Sequence, residues 1–212
     1  MSWIRRVSSK IHLWVGLALG ALIIVLSVTG SALVFRDTLD GWLRPDLMEV
    51  TPRPTQVSLD DAVDAAEAAH PDITPSVVEL PTRPDAPIVV WLQSGDGHVY
   101  VDPYRGTVLG RRGAHEGWMN TLHQLHVYLF SGTTGLTIVG VSGLLLVLLS
   151  ITGLVLWWPR RLRALKSALK IVWSGGWKRL NYDLHRAGGF YTLGFVLLVS
   201  LTGAGLVFYG SA

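Results

Sequence analysis

Two apolar stretches of this chain decide its fold, IHLWVGLALGALIIVLSVTGSALVF at 11–35 and AGGFYTLGFVLLVSLTGAGLVFY at 187–209. Neither contains Asp, Glu, Lys or Arg, and a third uncharged stretch covers 134–158. At 1.5 Å per residue, helices of these lengths reach about 34–38 Å, enough to cross a hydrocarbon core of about 30 Å. The sequence therefore predicts three transmembrane helices.

The composition of the whole chain agrees with a membrane protein. Half of the 212 residues are hydrophobic and 16% are charged, which excludes an ordinary soluble domain and a disordered chain. The absence of cysteine excludes disulfide scaffolds, iron–sulfur clusters and cysteine zinc sites. The first apolar stretch is longer than the 7–15 residues typical of a signal-peptide core, so we interpret it as a retained anchor.

Basic residues predict the orientation of the helices. The N-terminal segment and the segment 159–186 together carry eleven basic residues and one acid, whereas 36–133 carries seven basic and fourteen acidic residues. The positive-inside rule then places the N-terminus and the second loop in the cytoplasm, and 36–133 and the C-terminus outside. Basic charge in this pattern favours contact with anionic lipid and argues against a nucleic-acid partner. Apolar residues at helical spacing predict an interfacial helix over 162–173.

The exterior segment predicts a small α+β domain. A helix is expected over 57–69, with Ser58 as N-cap, an apolar face of Val63, Ala66 and Ala69, and Pro71 as its end. Four strands in an antiparallel sheet are expected at 77–80, 87–93, 98–102 and 107–110. The tetrapeptide SGDG at 94–97 and the segment 103–106 predict the turns.

An internal repeat relates the first and third apolar stretches. With an offset of 173 residues, His12 aligns with His185, Gly16 with Gly189, and Leu-Val-Phe at 33–35 with the same tripeptide at 206–208. Eight of 24 positions are identical, and a Ser-x-Thr-Gly pattern recurs at 27–30, 150–153 and 200–203 in the forms SVTG, SITG and SLTG. Because both helices run in the same direction, the two histidines should lie at the same depth.

Paired histidines at one depth can ligate a haem iron from opposite faces. Gly16 and Gly189 lie one turn further on the same helix faces, where a missing side chain admits a flat macrocycle. Lys10 and Arg186 flank the histidines and could pair with haem propionates. The alternative is structural, with interfacial histidines that hydrogen-bond to head groups and glycines that serve helix packing.

A second histidine pair precedes the second apolar stretch. His123 and His126 fall on one face of an amphipathic helix predicted over 121–130. One helix cannot easily supply both axial ligands of one haem, so either histidine could serve a second haem, or the two could bind a metal ion together. A polar face of an interfacial helix is the alternative. Solvated or loop positions are expected for His70, His98 and His115.

Five motifs together resemble the PepSY-associated transmembrane family. They are VYVDPYRGTVLG at 99–110, KIHLWVG at 10–16, LHVYLFSG at 125–132, TGLVLWWPR at 152–160 and DLHRAGG at 183–189. The resemblance implies a membrane all-α fold with a small exterior α+β PepSY-like domain. The expected organisation is a first transmembrane helix at 1–36, a periplasmic PepSY-like domain at 37–113, an interfacial helix at 114–133, a second transmembrane helix at 134–158, a basic cytoplasmic loop at 159–185 and a third transmembrane helix at 186–210.

The same resemblance implies a location and an activity. Characterised relatives are iron-regulated proteins of the bacterial inner membrane, including haem-b ferric-siderophore reductases. The resemblance makes His12, His126 and His185 the candidate iron ligands, with His123 additional. Longer relatives continue into a second exterior domain and a fourth helix. A second haem at His126 is therefore expected to need a ligand from another copy of the chain or a partner subunit.

Two functions from different classes follow as hypotheses. The first is transmembrane electron transfer through haem b, which makes the protein an oxidoreductase with a periplasmic ferric siderophore as substrate. Because no Gly-x-Gly-x-x-Gly follows a predicted strand, the electron donor is expected to be separate, either quinol or a flavoprotein. The second is a non-catalytic accessory subunit whose exterior domain docks a partner protein.

Overall fold

The computed structural model describes residues 3–72, 74–93, 97–113, 116–159 and 161–209. The chain forms two compact units, which we call the membrane unit, Met1–Val28 with His126–Ala212, and the sheet unit, Thr29–Leu125. The α-helices, numbered along the chain, are α1 Trp3–Val34, α2 Arg36–Leu43, α3 Pro45–Met48, α4 Leu59–Ala69, α5 Trp118–His123, α6 Gly132–Trp157, α7 Leu165–Ala168, α8 Gly176–Asp183 and α9 Gly189–Tyr209.

Three helical segments in the described part of the chain are long and apolar enough to cross a membrane. They are Trp3–Val34, Gly132–Trp157 and Gly176–Tyr209. The last of these joins α8 to α9 through a π-helical turn at Leu184–Gly188. The prediction of three transmembrane helices is confirmed, and the third begins inside the segment that was expected to be a loop.

Small residues let α6 and α9 pack closely in the membrane unit. A Cβ atom added at Gly140 would lie 2.7 Å from a Val207 methyl carbon, and one added at Gly143 would lie 3.2 Å from the Ser200 carbonyl oxygen. The buried hydroxyls of Ser142 and Ser200 donate to carbonyls of their own helices. The glycines therefore set how closely the two helices approach.

The sheet unit contains a four-stranded antiparallel sheet in the order β1-β2-β3-β4. The strands are β1 Pro75–Glu79, β2 Ile88–Leu92, β3 His98–Val101 and β4 Val108–Arg112. The prediction of one helix followed by an antiparallel sheet is confirmed. At the turn before β4, Gly106 has φ +64°, and the Asp102 carboxylate accepts the backbone N–H groups of Tyr104 and Arg105. Of the other predicted turn, 94–96 lie outside the described residues.

Helix α4 packs on one face of the sheet. Its N-terminus has the predicted cap, because the Ser58 hydroxyl accepts the Asp61 N–H while the Asp61 carboxylate accepts the Ser58 N–H. The predicted apolar face was wrong in part: Ala62 and Ala66 are fully buried against the sheet, whereas Ala69 is exposed. Positions four residues apart share a helix face, which explains the pairing of Ala62 with Ala66.

Two predicted interfacial helices were wrong in extent. Over 162–173 the chain forms only a 3₁₀ turn at Leu162–Ala164 and the single turn α7, since the Val172 N–H bonds to the Asp183 carboxylate. Over 121–130, α5 passes into a π-helical turn at Gln124–Tyr128 and ends where Leu129 and Phe130 have positive φ. The chain turns here into α6. Gly135 of α6 lies so close to the Tyr128 carbonyl that there is no room for a Cβ atom at this position.

Candidate functional site

The two histidines of the repeat come together in the membrane unit. The His12 ring of α1 and the His185 ring of the π-helical turn have centroids 5.9 Å apart, with planes inclined at 67°. An iron atom ligated from opposite sides by two imidazole nitrogens at about 2 Å each would separate the ring centres by about 6 Å. The spacing of the two rings therefore suits a bis-histidine ligand pair.

Both histidines line a cavity of about 720 Å³ within this unit. The glycines of the repeat, Gly16 and Gly189, also line it, and a Cβ atom at Gly189 would meet nothing within 4 Å. The size falls in the range of about 300–1,000 Å³ that is usual for small-molecule and cofactor sites. The glycines thus face space that a flat cofactor could occupy.

An aromatic pair forms part of the cavity wall. The Trp157 and Phe190 rings stack with centroids 3.9 Å apart and planes inclined at 13°. Trp157 is the last residue of α6 and Phe190 is the second residue of α9, so the stack links the two helices at this end. Sequence reasoning did not identify either residue as part of a site.

The His12 ring is held by helix α6. Its Nδ1 atom lies 3.2 Å from the Leu149 carbonyl oxygen and 3.1 Å from the Thr152 hydroxyl. A Cβ atom at Gly153 would lie 3.1 Å from the ring carbon Cε1, closer than ordinary packing allows. Gly153 therefore permits the imidazole to lie against the helix.

Two arginines contribute positive charge to the cavity. Arg5 donates to the Leu156 and Trp158 carbonyls at the C-terminus of α6, at 2.6 and 2.9 Å. Arg186 also lines the cavity and donates to the Ser167 carbonyl. Lys10 is exposed and is not among the residues that line the cavity, whereas Arg5 lines it.

One buried carboxylate organises this end of the membrane unit. Asp183 is fully buried and binds Arg179 at 2.7 Å, Arg186 at 3.6 Å and the Val172 N–H at 3.2 Å. It therefore ties the loop before α8 to the arginine at the cavity. The lone acid in a basic segment was the available sequence signal, and its structural role was missed.

The other predicted histidines are not among the residues that line this cavity. His126 is in the π-helical turn of the membrane unit, and His123 ends α5 of the sheet unit, where burial and Arg36 lower its pKa. Burial also lowers the pKa of His98, whose ring packs edge-on against Trp91. Among the described residues, no group of three or more His, Asp or Glu could hold a metal ion, and His115 lies outside them.

The arrangement contains groups that could hold a haem. It supplies two facing imidazoles, glycines beside open space, an aromatic wall and two arginines. The chain matches the family model for the PepSY-associated TM region over residues 9–212. It belongs to this family. A search of the curated proteins found no match to this chain.

Proposed function

We propose that this PepSY-associated membrane protein binds haem b between His12 and His185 and transfers electrons across the membrane. A single observation carries the proposal. The His12 and His185 rings, from separate helical segments, have centroids 5.9 Å apart beside a large cavity. Haem b, when bound, supplies one-electron redox chemistry. The fold supplies position and potential tuning.

Different residues of the cavity would bind different parts of the haem. His12 and His185 would be its axial ligands, and Gly16 and Gly189 would leave room for the ring. Arg5 and Arg186 would pair with the propionates. The stacked Trp157 and Phe190 would provide an apolar wall beside such a group, and a lower local dielectric constant there would strengthen the effect of nearby charges.

The proposed direction of electron flow is outward. In this proposal the protein lies in the bacterial inner membrane, with its N-terminus in the cytoplasm and its C-terminus in the periplasm. The His12 end of the membrane unit then faces the cytoplasm. A separate donor, quinol or a flavoprotein, would deliver the electron there. The proposed acceptor is a periplasmic ferric siderophore, because reduction to Fe(II) weakens binding by hard oxygen ligands.

A second centre would shorten the electron path. About 25 Å of helix separates the level of His12 from that of Thr29, which is long for one electron-transfer step. His126, with His123 as an additional candidate, is the proposed ligand of a second haem or metal ion near the other end. Its opposite ligand would come from a second copy or a partner subunit.

The first prediction tests the ligand pair. His12→Ala and His185→Ala should each abolish haem binding in the cavity, because each variant removes one of the two proposed axial ligands. Haem per chain is measured by absorption spectroscopy of the purified full chain, with size-exclusion profiles to confirm folding. His70→Ala, in the sheet unit, is the control and should leave the haem content unchanged.

A folded, colourless wild-type protein would refute the haem proposal and favour the accessory-subunit function. Haem content that is unchanged in both cavity variants would show that the histidine repeat serves packing alone. The His126 centre is tested in the same preparations: His126→Ala should lower the haem content only in oligomeric fractions.

A further inference from the structure

Thr152 and Leu149 both contact the Nδ1 nitrogen of the His12 ring. Both Thr152 Oγ1 and Leu149 O lie within 3.2 Å of Nδ1. The Thr152 side chain is buried, with 5% of the residue exposed. Its hydroxyl lies 2.9 Å from the Leu148 carbonyl oxygen and 3.1 Å from the Leu149 carbonyl oxygen of its own helix.

The hydrogen-bond chemistry of these groups decides which ring nitrogen carries the proton. A carbonyl oxygen can only accept, so its bond to Nδ1 requires an N–H there. The Thr152 hydroxyl has one hydrogen, and the helix carbonyls take it, which leaves the oxygen as a second acceptor for Nδ1. Both partners therefore favour the neutral imidazole with its proton on Nδ1.

We propose that Thr152, together with the Leu149 carbonyl, is a positioning residue that fixes His12 in the Nδ1–H tautomer and presents Nε2 to the cavity. Metal-binding histidines usually donate their second N–H to a carbonyl or carboxylate, which sets the ring orientation and raises ligand basicity. The inference deepens the proposed haem site and rests on it for the identity of the ligand.

The neighbouring Gly153 leaves room for the His12 ring. Because a Cβ atom at Gly153 would approach the His12 ring to 3.1 Å, the Thr152-Gly153 dipeptide both binds the imidazole and leaves room for it. The second histidine differs: within the described residues, the His185 ring makes no hydrogen bond. The structure thus makes His12 the fixed partner of the pair.

The chain offers a matched control for Thr152. Thr202 on α9 belongs to another copy of the Thr-Gly motif, and its hydroxyl also bonds to carbonyls of its own helix, at 2.8 and 3.2 Å. Thr202 is exposed and does not line the histidine cavity. Thr152→Val and Thr202→Val therefore make the same chemical change on two membrane helices, with one contacting His12.

The first arm of the test uses haem-free full chain in lipid nanodiscs with ¹⁵N-labelled histidine at alkaline pH. The His12 signals, assigned by their loss in His12→Gln, should show a protonated Nδ1 and an unprotonated Nε2. Thr152→Val should shift the tautomer ratio toward Nε2–H by about fivefold, as expected for one ordinary hydrogen bond. Thr152→Ser should restore the wild-type ratio, and Thr202→Val should keep it.

The second arm adds haem and measures affinity and midpoint potential. Thr152→Val should weaken haem binding by about 10- to 100-fold, the usual effect of losing such an outer partner, and should raise the midpoint potential. Failure of the wild-type chain to bind haem would refute the proposed function, while the tautomer assignment would still be decided by the first arm.

Two results would overturn the inference. One is a wild-type His12 protonated mainly on Nε2, and the other is equal tautomer ratios in Thr152→Val and Thr202→Val. If Thr152→Val does not fold, Thr152→Ala also lacks the hydroxyl and is interpreted in the same way.

Discussion

At the scale of single residues, the ion pair between Asp40 and Arg112 in the sheet unit is buried. Asp40 of α2 and Arg112 of β4 bind each other, and both side chains are 7% exposed. The Arg112 guanidinium also lies over the Tyr100 ring, 5.5 Å from its centroid, and burial raises the pKa of Tyr100. The pair therefore joins the helix that follows α1 to the last strand of the sheet.

Removal of one partner of this pair should destabilise the sheet. Arg112→Met leaves the Asp40 carboxylate buried and unpaired, which typically costs about 3–5 kcal/mol. Hydrogen–deuterium exchange of the full chain should show lost protection in β3 and β4. Arg111→Met is the control on the same strand: its partner Asp72 is exposed, so a change of about 0–1 kcal/mol is expected.

The double variant Asp40→Leu with Arg112→Met sharpens this test. It removes both charges, so it should be less destabilising than Arg112→Met alone. If Arg112→Met and Arg111→Met had the same exchange protection, the buried pair would not stabilise the sheet unit.

At the scale of helices, the contact between α6 and α9 depends on glycine. Gly140→Leu would place side-chain atoms where Val207 and Phe208 now lie, 2.7 and 3.0 Å from the Cβ position. Overpacking of this kind costs about 1–3 kcal/mol or more, so a lower melting temperature of the full chain in detergent is expected.

Gly20→Leu is the matched control, because a Cβ atom at Gly20 on α1 would meet nothing within 4 Å. Its melting temperature should equal that of the wild type. Equal melting temperatures for the two leucine variants would contradict the assigned role of Gly140 in helix packing.

Of the three candidate iron ligands His12, His126 and His185, two lie in π-helical turns. His126 lies in the turn at Gln124–Tyr128, and His185 lies in the turn at Leu184–Gly188. Such turns are often found at functional sites, since the extra residue redirects side chains. The i+4 spacing used to align His185 with Gly189 assumes a regular α-helix. The sequence therefore identified these histidines, but it did not predict the π-helical backbone on which they lie.

At the scale of the whole molecule, the proposed orientation is directly testable. The chain has no cysteine, so single substitutions give unambiguous labelling sites. Gln56→Cys lies in the sheet unit and Lys170→Cys in the basic loop, and both positions are exposed. In intact cells, a membrane-impermeant maleimide should label Gln56→Cys and spare Lys170→Cys.

Labelling of Lys170→Cys in intact cells, with Gln56→Cys protected, would invert the orientation and place the histidine cavity at the outer face. Permeabilised cells, in which both positions should react, provide the control. The inverted result would also exclude the proposed outward path from a cytoplasmic donor.

The sequence by itself determined the three membrane helices, the capped helix α4 and the presence of an antiparallel sheet after it. Each of these depends on local features: an uncharged run of about 25 residues, a Ser58 cap, or alternation between turns. The repeat also predicted that His12 and His185 lie at the same depth, because equal depth follows from helix direction alone.

Only the tertiary structure decided how the cavity is built. Thr152 lies 140 positions from His12 in the chain, and Arg5 lies 151 positions from the Leu156 carbonyl that it binds. Such contacts depend on the rotation and separation of packed helices, which hydropathy does not encode. The same reason explains why Arg5 rather than Lys10 lines the cavity, and why Asp183 holds the loop that was predicted to be a helix.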